Sequence, residues 1–242
     1  MKKIFFISDV HLGLQDKEHE KEKEKRLLTF LSHVEDQAEQ LFILGDLFDY
    51  WFEYKYVIPR GYHHTLSKLA TLVEKGIKVH YVAGNHDFWL KDFFPVDLGI
   101  PVYKDPFAMT IAGKKFFFHH GDGLALKDGG YRFLKKILRN KINIAFFTLV
   151  HPDLTAPIAR GSSRKSREFT ANKEYGETDG MILFATEKIR NGYDVVVMGH
   201  RHSPLYQKID KGVYVNLGDW ITHMTYAEFD GKNIELKTWH SR

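Results

Sequence analysis

The 242-residue sequence contains no cysteine, so it can build neither a disulfide framework nor a thiolate metal site. That absence suits a reducing compartment. Long hydrophobic runs are also missing. The N-terminal run IFFIS is interrupted by Asp9 and His11, too soon for the apolar region of a secretory signal and far too soon for a membrane span. No later run reaches spanning length, so the expected location is cytoplasmic. There is no internal repeat and no low-complexity linker, and the chain reads as one domain, 1–242, with an insertion. What remains is ordinary for a globular protein: 43% hydrophobic and 27% charged residues.

The net charge of +4 hides an uneven distribution. Between Lys127 and Arg167 there are ten Lys/Arg against two Asp, a local balance of +8, which leaves −4 for the rest. Such a patch suits nucleic acid, phosphate groups or an anionic membrane face. The basic residues lie among aliphatic rather than stacking side chains and no strand-tracking motif accompanies them, which argues against nucleic acid.

Periodicity gives the organisation. KKIFFIS (2–8), LFILG (41–45) and IKVHYVAG (77–84) read as buried strands, separated by helices, one of them around 61–75 and closed by Gly76. Strand–helix–strand alternation predicts a parallel α/β sheet. The charge run KEHEKEKEKR (17–26) reads as a solvated helix start without a functional role. VYKDPFAMTIAGKKFFFHH predicts a hairpin turning at AGKK, DVVVMG (194–199) another buried strand, and the tail an antiparallel finish. Residues 122–172, with helical patches, two prolines and a GSS turn, read as an inserted helical subdomain.

Five apolar runs end in oxygen or imidazole ligands: Asp9 and His11, Asp46, Asn85 with His86 and Asp87, His119 and His120 with Asp122, and His200 with His202. In a parallel α/β sheet, ligands gather where the strands end. Residues two apart in extended chain share a face, so Asp9 with His11, and His200 with His202, are each expected to point at one place. The set is Asp, Asn and His, which suits Mn²⁺, Fe²⁺ or Zn²⁺. It exceeds what one ion needs. Two ions about 3.5–4 Å apart, sharing one carboxylate, fit better, and Asp46 is the expected bridge because its strand lies between the other contributors.

The series Asp9-x-His11, Gly45-Asp46, Gly84-Asn85-His86-Asp87, His120-Gly121-Asp122 and Gly199-His200-Arg201-His202 resembles the calcineurin-like metallophosphoesterase family, from residue 4 to about 220. The resemblance implies a four-layer α/β fold, two mixed β-sheets sandwiched by helices, with a helical cap insertion at about 123–172. It also implies two divalent metal ions, Mn²⁺ first among them. One would be held by Asp9, His11, Asp46 and His202, the other by Asp46, Asn85, His120 and His200. His119 falls outside the set, and Asp87 and Asp122 are expected to orient imidazoles. Asp46, Asn85 and His86 are the implied catalytic residues, in a phosphoester or phosphoanhydride hydrolysis by metal-activated water.

Within that family, GDLFDYW (45–51), HGDGLALKDGGYR (120–132) and SSRKSR (162–167) resemble the branch that cleaves UDP-2,3-diacylglucosamine to UMP and the lipid 1-phosphate in lipid A assembly. The implied contacts to this nucleotide-linked acylated sugar are Asn85, His86, Asp128, Tyr131, Ser163, Arg164, Arg167, Thr170 and His200. The insertion, with Phe133, Leu134, Ile137, Leu138 and IAFFTLV (144–150) among basic residues, would take the acyl chains and touch the inner membrane peripherally. No obligate protein partner is evident. The sequence departs from that branch at His86, where the branch has arginine, and at Arg167 and Thr170, where it has Asn and Lys. The alternatives are a soluble phosphodiesterase or phosphatase acting on a nucleotide or other non-lipid phosphoester, and a scaffold without turnover; the complete ligand set speaks against the scaffold.

Overall fold

A computed structural model describes residues 2–124, 129–152, 154 and 180–240. In chain order the elements are β1 (Lys3–Ile7), α1 (Lys17–Gln37), β2 (Ala38–Leu44), α2 (His63–Glu74), β3 (Lys78–Val82), a π-helical turn (Phe93–Asp97), β4 (Val102–Tyr103), β5 (Phe107–Ile111), β6 (Lys114–Phe118), α3 (Gly129–Leu138), α4 (Lys141–Thr148), α5 (Gly180–Arg190), β7 (Val195–Met198), β8 (Leu205–Ile209), β9 (Gly212–Asn216), β10 (Thr225–Phe229) and β11 (Ile234–Thr238). One sheet has the order β11-β10-β1-β2-β3-β4 and the other β5-β6-β7-β9-β8. The centre of each is parallel, β1 to β4 in one and β6, β7 and β9 in the other, with antiparallel strands outside.

Strands buried on both faces need apolar residues at every position, which is why these runs show no polar alternation. Phe5 meets Phe30 of α1, ring centres 6.1 Å apart. Its neighbour Phe6 points the other way, onto Phe42 at 5.2 Å and Phe116 at 6.0 Å, between the two sheets. In the second sheet Val195 and Val197 join that middle layer, whereas Val196 and Met198 pack with Met181, Ala185 and Ile189 of α5. The result is helix, sheet, sheet, helix, the expected mixed α/β sandwich. Each buried Phe of the middle layer contributes ~1.5–3 kcal/mol relative to exposure.

Helix α1 starts at Asp16, whose carboxylate accepts the N–H groups of Glu18 and His19. Leu27, Phe30, Leu31 and Val34 are its buried stripe, but Lys23 is buried as well, at 4% exposure. The charge run is therefore not solvated throughout. The β5–β6 hairpin turns at Ala112 and Gly113, both left-handed, within the expected AGKK. Helices α3 and α4 fall in the stretch 123–172 expected to be a helical insertion. Phe147 of α4 packs on Phe52 at 4.8 Å and stacks on Trp89 at 5.3 Å. Tyr54 donates to the Val150 carbonyl (3.2 Å) and Trp89 Nε1 to that of Leu138 (3.3 Å). Trp89 thus ties the helical pair to the loop after β3, and Tyr54 and Phe52 tie it to the loop after β2.

Candidate metal centre

The segments that leave β1, β2, β3, β6 and β7 converge, and β2, which leads to Asp46, lies between β1 and β3. Right after those strands the backbone enters a region that non-glycine residues avoid. Asp9 (φ 54°), His11 (50°), Asp46 (54°), His200 (68°) and His202 (56°) are five of the eight non-glycine residues with positive φ among the described residues. Such strain persists only where surrounding contacts impose it, and it clusters at functional sites. Glycines make the close approach possible: a methyl on Gly84 would overlap the Asp46 carboxylate, and one on Gly199 would overlap Ser8 and Asp9.

Three acid–imidazole groups result, each with one ligand atom per residue within 4.8 Å of the others: Asp9, His11 and His202; His11, Asp46 and His86; and Asp46, His120 and His200. Asp46 divides its two oxygens. Oδ1 accepts the His86 N–H at 2.9 Å, while Oδ2 stands 3.7 Å from His11 Nε2 and 3.2 Å from His120 Nε2. Asn85 Oδ1 lies 3.0 Å from the same His120 nitrogen. His200 and His202 do not share one point as extended geometry would suggest; their left-handed backbone sends them to different groups.

The imidazole tautomers follow from their outer partners. A backbone carbonyl only accepts, so His120 Nδ1, 2.8 Å from the Leu44 carbonyl, carries a proton and its neutral ring has a lone pair on Nε2. His11 Nδ1 likewise donates to Asp49 at 3.2 Å. Its Nε2 then faces His202 Nε2 at 3.1 Å, an approach that requires a proton or a cation between them. Asp9 Oδ1 points into the same place, buried and without a hydrogen-bond partner, 3.3 Å from His202 Nε2. Lone pairs converging on an orphaned carboxylate oxygen fit divalent cations with nitrogen and oxygen ligands.

Electrostatics agree. Burial alone would raise Asp9 and Asp46, yet the surrounding imidazoles hold both well below the usual carboxylate range. Against the opposing effect of burial, Asp46 lifts His120 to about 10, and Asp49, Asp9 and Asp46 lift His11 to about 9. These carboxylates demand positive charge, and without metal two imidazoles supply it as protons. Burial and the neighbouring His120 push His200 down to about 4.

Two supporting carboxylates were not singled out in the sequence. Asp49 orients His11 and stands 3.6 Å from His86 Nδ1, and its backbone carbonyl accepts from that nitrogen at 3.2 Å. Asp219 follows β9; its Oδ1 accepts the Ile221, Thr222 and His223 N–H groups, and its Oδ2 lies 3.7 Å from His202 Nδ1. Asp87, expected to orient an imidazole, instead accepts the Leu47, Phe48 and Gly84 N–H groups and the Tyr81 hydroxyl, locking the loop after β2 to the loop after β3. Burial and the Asp46 charge raise it to about 6. Asp122 pairs with Lys135 (2.6 Å) and Arg139 (3.5 Å), fastening α3 beside His120. His119 accepts the Gly121 N–H at 2.6 Å, and burial lowers it to about 4, so it is a neutral acceptor. Asp128, Ser163, Arg164, Arg167 and Thr170 lie outside the described residues, and of Tyr131 only the backbone, in α3, is described.

The model of a family described as calcineurin-like phosphoesterase matches residues 2–204. A UDP-2,3-diacylglucosamine hydrolase of Porphyromonas gingivalis is 34% identical, over 98% of this chain and 97% of its own. One of Haemophilus influenzae is 28% identical over 91% of each. Among solved structures, an archaeal phosphodiesterase superposes with a TM-score of 0.52 at 15% identity, covering 98% of this chain and 99% of its own, a likeness of fold.

Proposed function

The chain belongs to the calcineurin-like phosphoesterase family, and we propose that it is a two-metal hydrolase that cleaves the phosphoanhydride of UDP-2,3-diacylglucosamine to UMP and 2,3-diacylglucosamine 1-phosphate. The observation that carries this reading is the near-full-length identity to hydrolases of that substrate, joined to a site in which one oxygen of Asp46 stands between two imidazole groups.

We assign Asp9, His11, Asp46 and His202 to one divalent ion and Asp46, Asn85, His120 and His200 to the other, with Mn²⁺ as the native metal. Bound there, the ions supply the Lewis acidity that activates water and neutralises phosphoryl oxygens. The chain's own groups set the geometry. Asp46 keeps one oxygen on the His86 amide, so the bridging carboxylate and the loop after β3 move together. His86 Nδ1 donates to the Asp49 carbonyl at 3.2 Å. That fixes its ring and leaves Nε2 to hold, when protonated, the proton that passes to the leaving oxygen. Asn85 and His200 contact both metal and substrate in this assignment.

The exposed apolar side chains of the helical insertion support the acyl part of the substrate. Ile142, Phe146 and Leu149 are 65%, 66% and 81% exposed, next to exposed Ile137 and Leu138 and the basic Lys136. With Asp128, Tyr131, Ser163, Arg164, Arg167 and Thr170 they form the assigned lipid and phosphate contacts. No helix among the described residues is long and apolar enough to cross a membrane, and we assign a peripheral contact with the cytoplasmic face of the inner membrane through the same surface. The test is UMP release from UDP-2,3-diacylglucosamine in detergent with Mn²⁺, abolished by chelation. Chelator-resistant release would defeat the metal assignment. Cleavage of simple diesters without UMP release would turn the reading to a non-lipid phosphoesterase.

A further inference from the structure

We propose that Lys23 and Glu20, a buried ion pair one turn into α1, are positioning residues that clamp the His11 loop and so set the affinity of the metal site built on Asp9, His11 and His202. The inference rests on the metal reading above.

His11 is held at φ 50°, in the left-handed region that is costly for an L-residue. Its carbonyl accepts a 2.6 Å hydrogen bond from Lys23 Nζ. Lys23 also donates to Glu20 Oε1 at 2.7 Å, and the side chains are only 5% and 19% exposed. Glu20 completes the grip: Oε2 accepts the Gly13 N–H and Oε1 the Gln15 N–H, both at 2.7 Å. One ion pair therefore takes a carbonyl and two amides from five consecutive residues, all on the segment that carries His11 out of β1.

The energetics separate positioning from support. A buried ion pair is a poor source of stability, because desolvation offsets much of its attraction; replacing both partners by apolar groups is often neutral, whereas removing one leaves the other charge buried and unpaired. This pair nonetheless sits on the strained loop. Spacing on the helix accounts for it, since residues three apart share a face, and that face is turned toward the metal ligands rather than solvent. Tyr62, donating to the Leu12 carbonyl at 3.2 Å, holds the same loop from α2. Removing Lys23 frees the His11 carbonyl to rotate, and His11 Nε2 then loses its fixed place opposite His202 and Asp9.

The test uses the full chain and Mn²⁺ alone as probe. Metal-free Lys23→Met is compared with wild type by calorimetric titration, thermal unfolding and amide hydrogen exchange. The expected result is two ions bound by wild type and, in K23M, one ion at wild-type affinity and one weakened tenfold or more. Metal-free K23M should unfold at a lower temperature than wild type, because Glu20 is left charged without its partner, yet remain folded at the titration temperature, while exchange of the Gly13 and Gln15 amides speeds up at least tenfold. Turnover at saturating substrate should fall, with KM unchanged and activity recovered by raised Mn²⁺. Unaltered binding of both ions overturns the inference, as does failure of K23M to fold, which would make the pair a core support. Fewer than two ions on wild type would instead overturn the metal reading itself.

Discussion

Replacing Asp46 by Asn should disable both metal positions at once. The carboxylate is 1% exposed and its Oδ2 lies 3.2 Å from His120 Nε2 and 3.7 Å from His11 Nε2. Asparagine retains an oxygen to accept the His86 amide, so the loops stay joined and the change is one of charge. Removing one partner from a buried charge cluster costs ~3–5 kcal/mol, which at about 1.4 kcal/mol per tenfold corresponds to roughly two to three and a half powers of ten in metal affinity. The loss should fall on both ions, because the same oxygen serves both groups. Calorimetric titration with Mn²⁺ measures the two affinities, and hydrolysis of a chromogenic phosphodiester measures the rate. Two ions at wild-type affinity with a near-normal rate would refute the bridging assignment.

The remaining predictions concern substrate and pH. Phe147 is packed on Phe52 and Trp89, so the clean probe of acyl binding is the exposed Phe146. Phe146→Ser should raise KM for the diacyl substrate by about 10–100-fold, the equivalent of ~1.5–3 kcal/mol of apolar burial, and leave a small diester unaffected; equal effects on both would remove the acyl role. His80, stacked on Phe42 at 4.4 Å, is lowered to about 4 by burial and by Lys78. Its unfolded form takes a proton below pH 6.5 and its folded form does not until about 4, so it contributes stability above pH 6.5 that is lost as pH falls toward 4. Discounted for partial solvent access, the loss is ~1 kcal/mol at pH 5. Urea unfolding of His80→Phe against wild type at pH 8 and pH 5 should show the variant less acid-sensitive by that amount; parallel losses would contradict it.

The five strand ends that carry the candidate ligands were legible in the sequence for a physical reason. A doubly buried strand is a continuous apolar run, and a carboxylate or imidazole right after it stands out. What supports those ligands has no such contrast. Asp49 reads as one more polar residue in a loop, and Asp219 follows a strand whose end carries none of the ligands. Lys23 was hidden more thoroughly, inside a run whose mixed charges mark a solvated helix, since sequence does not reveal which residue of KEHEKEKEKR turns inward. The left-handed backbone at His200 and His202 was equally invisible, because neither is glycine, and it undid the extended-chain argument by sending the two rings to different groups of acids and imidazoles. Asp87 reads as an imidazole partner by proximity in sequence, but backbone amides and the Tyr81 hydroxyl took it, whereas Asp122 pairs with Lys135 and Arg139 and also acts electrostatically on His120 and His200.

The most direct measurement is kcat/KM for UDP-2,3-diacylglucosamine, followed as UMP release with Mn²⁺, against the same UDP-sugar lacking its acyl chains. A preference of several powers of ten for the diacyl compound, lost on chelation, is the predicted result. Equal turnover of the two would contradict the assignment of the exposed α3–α4 surface to acyl recognition and, with it, the proposed substrate.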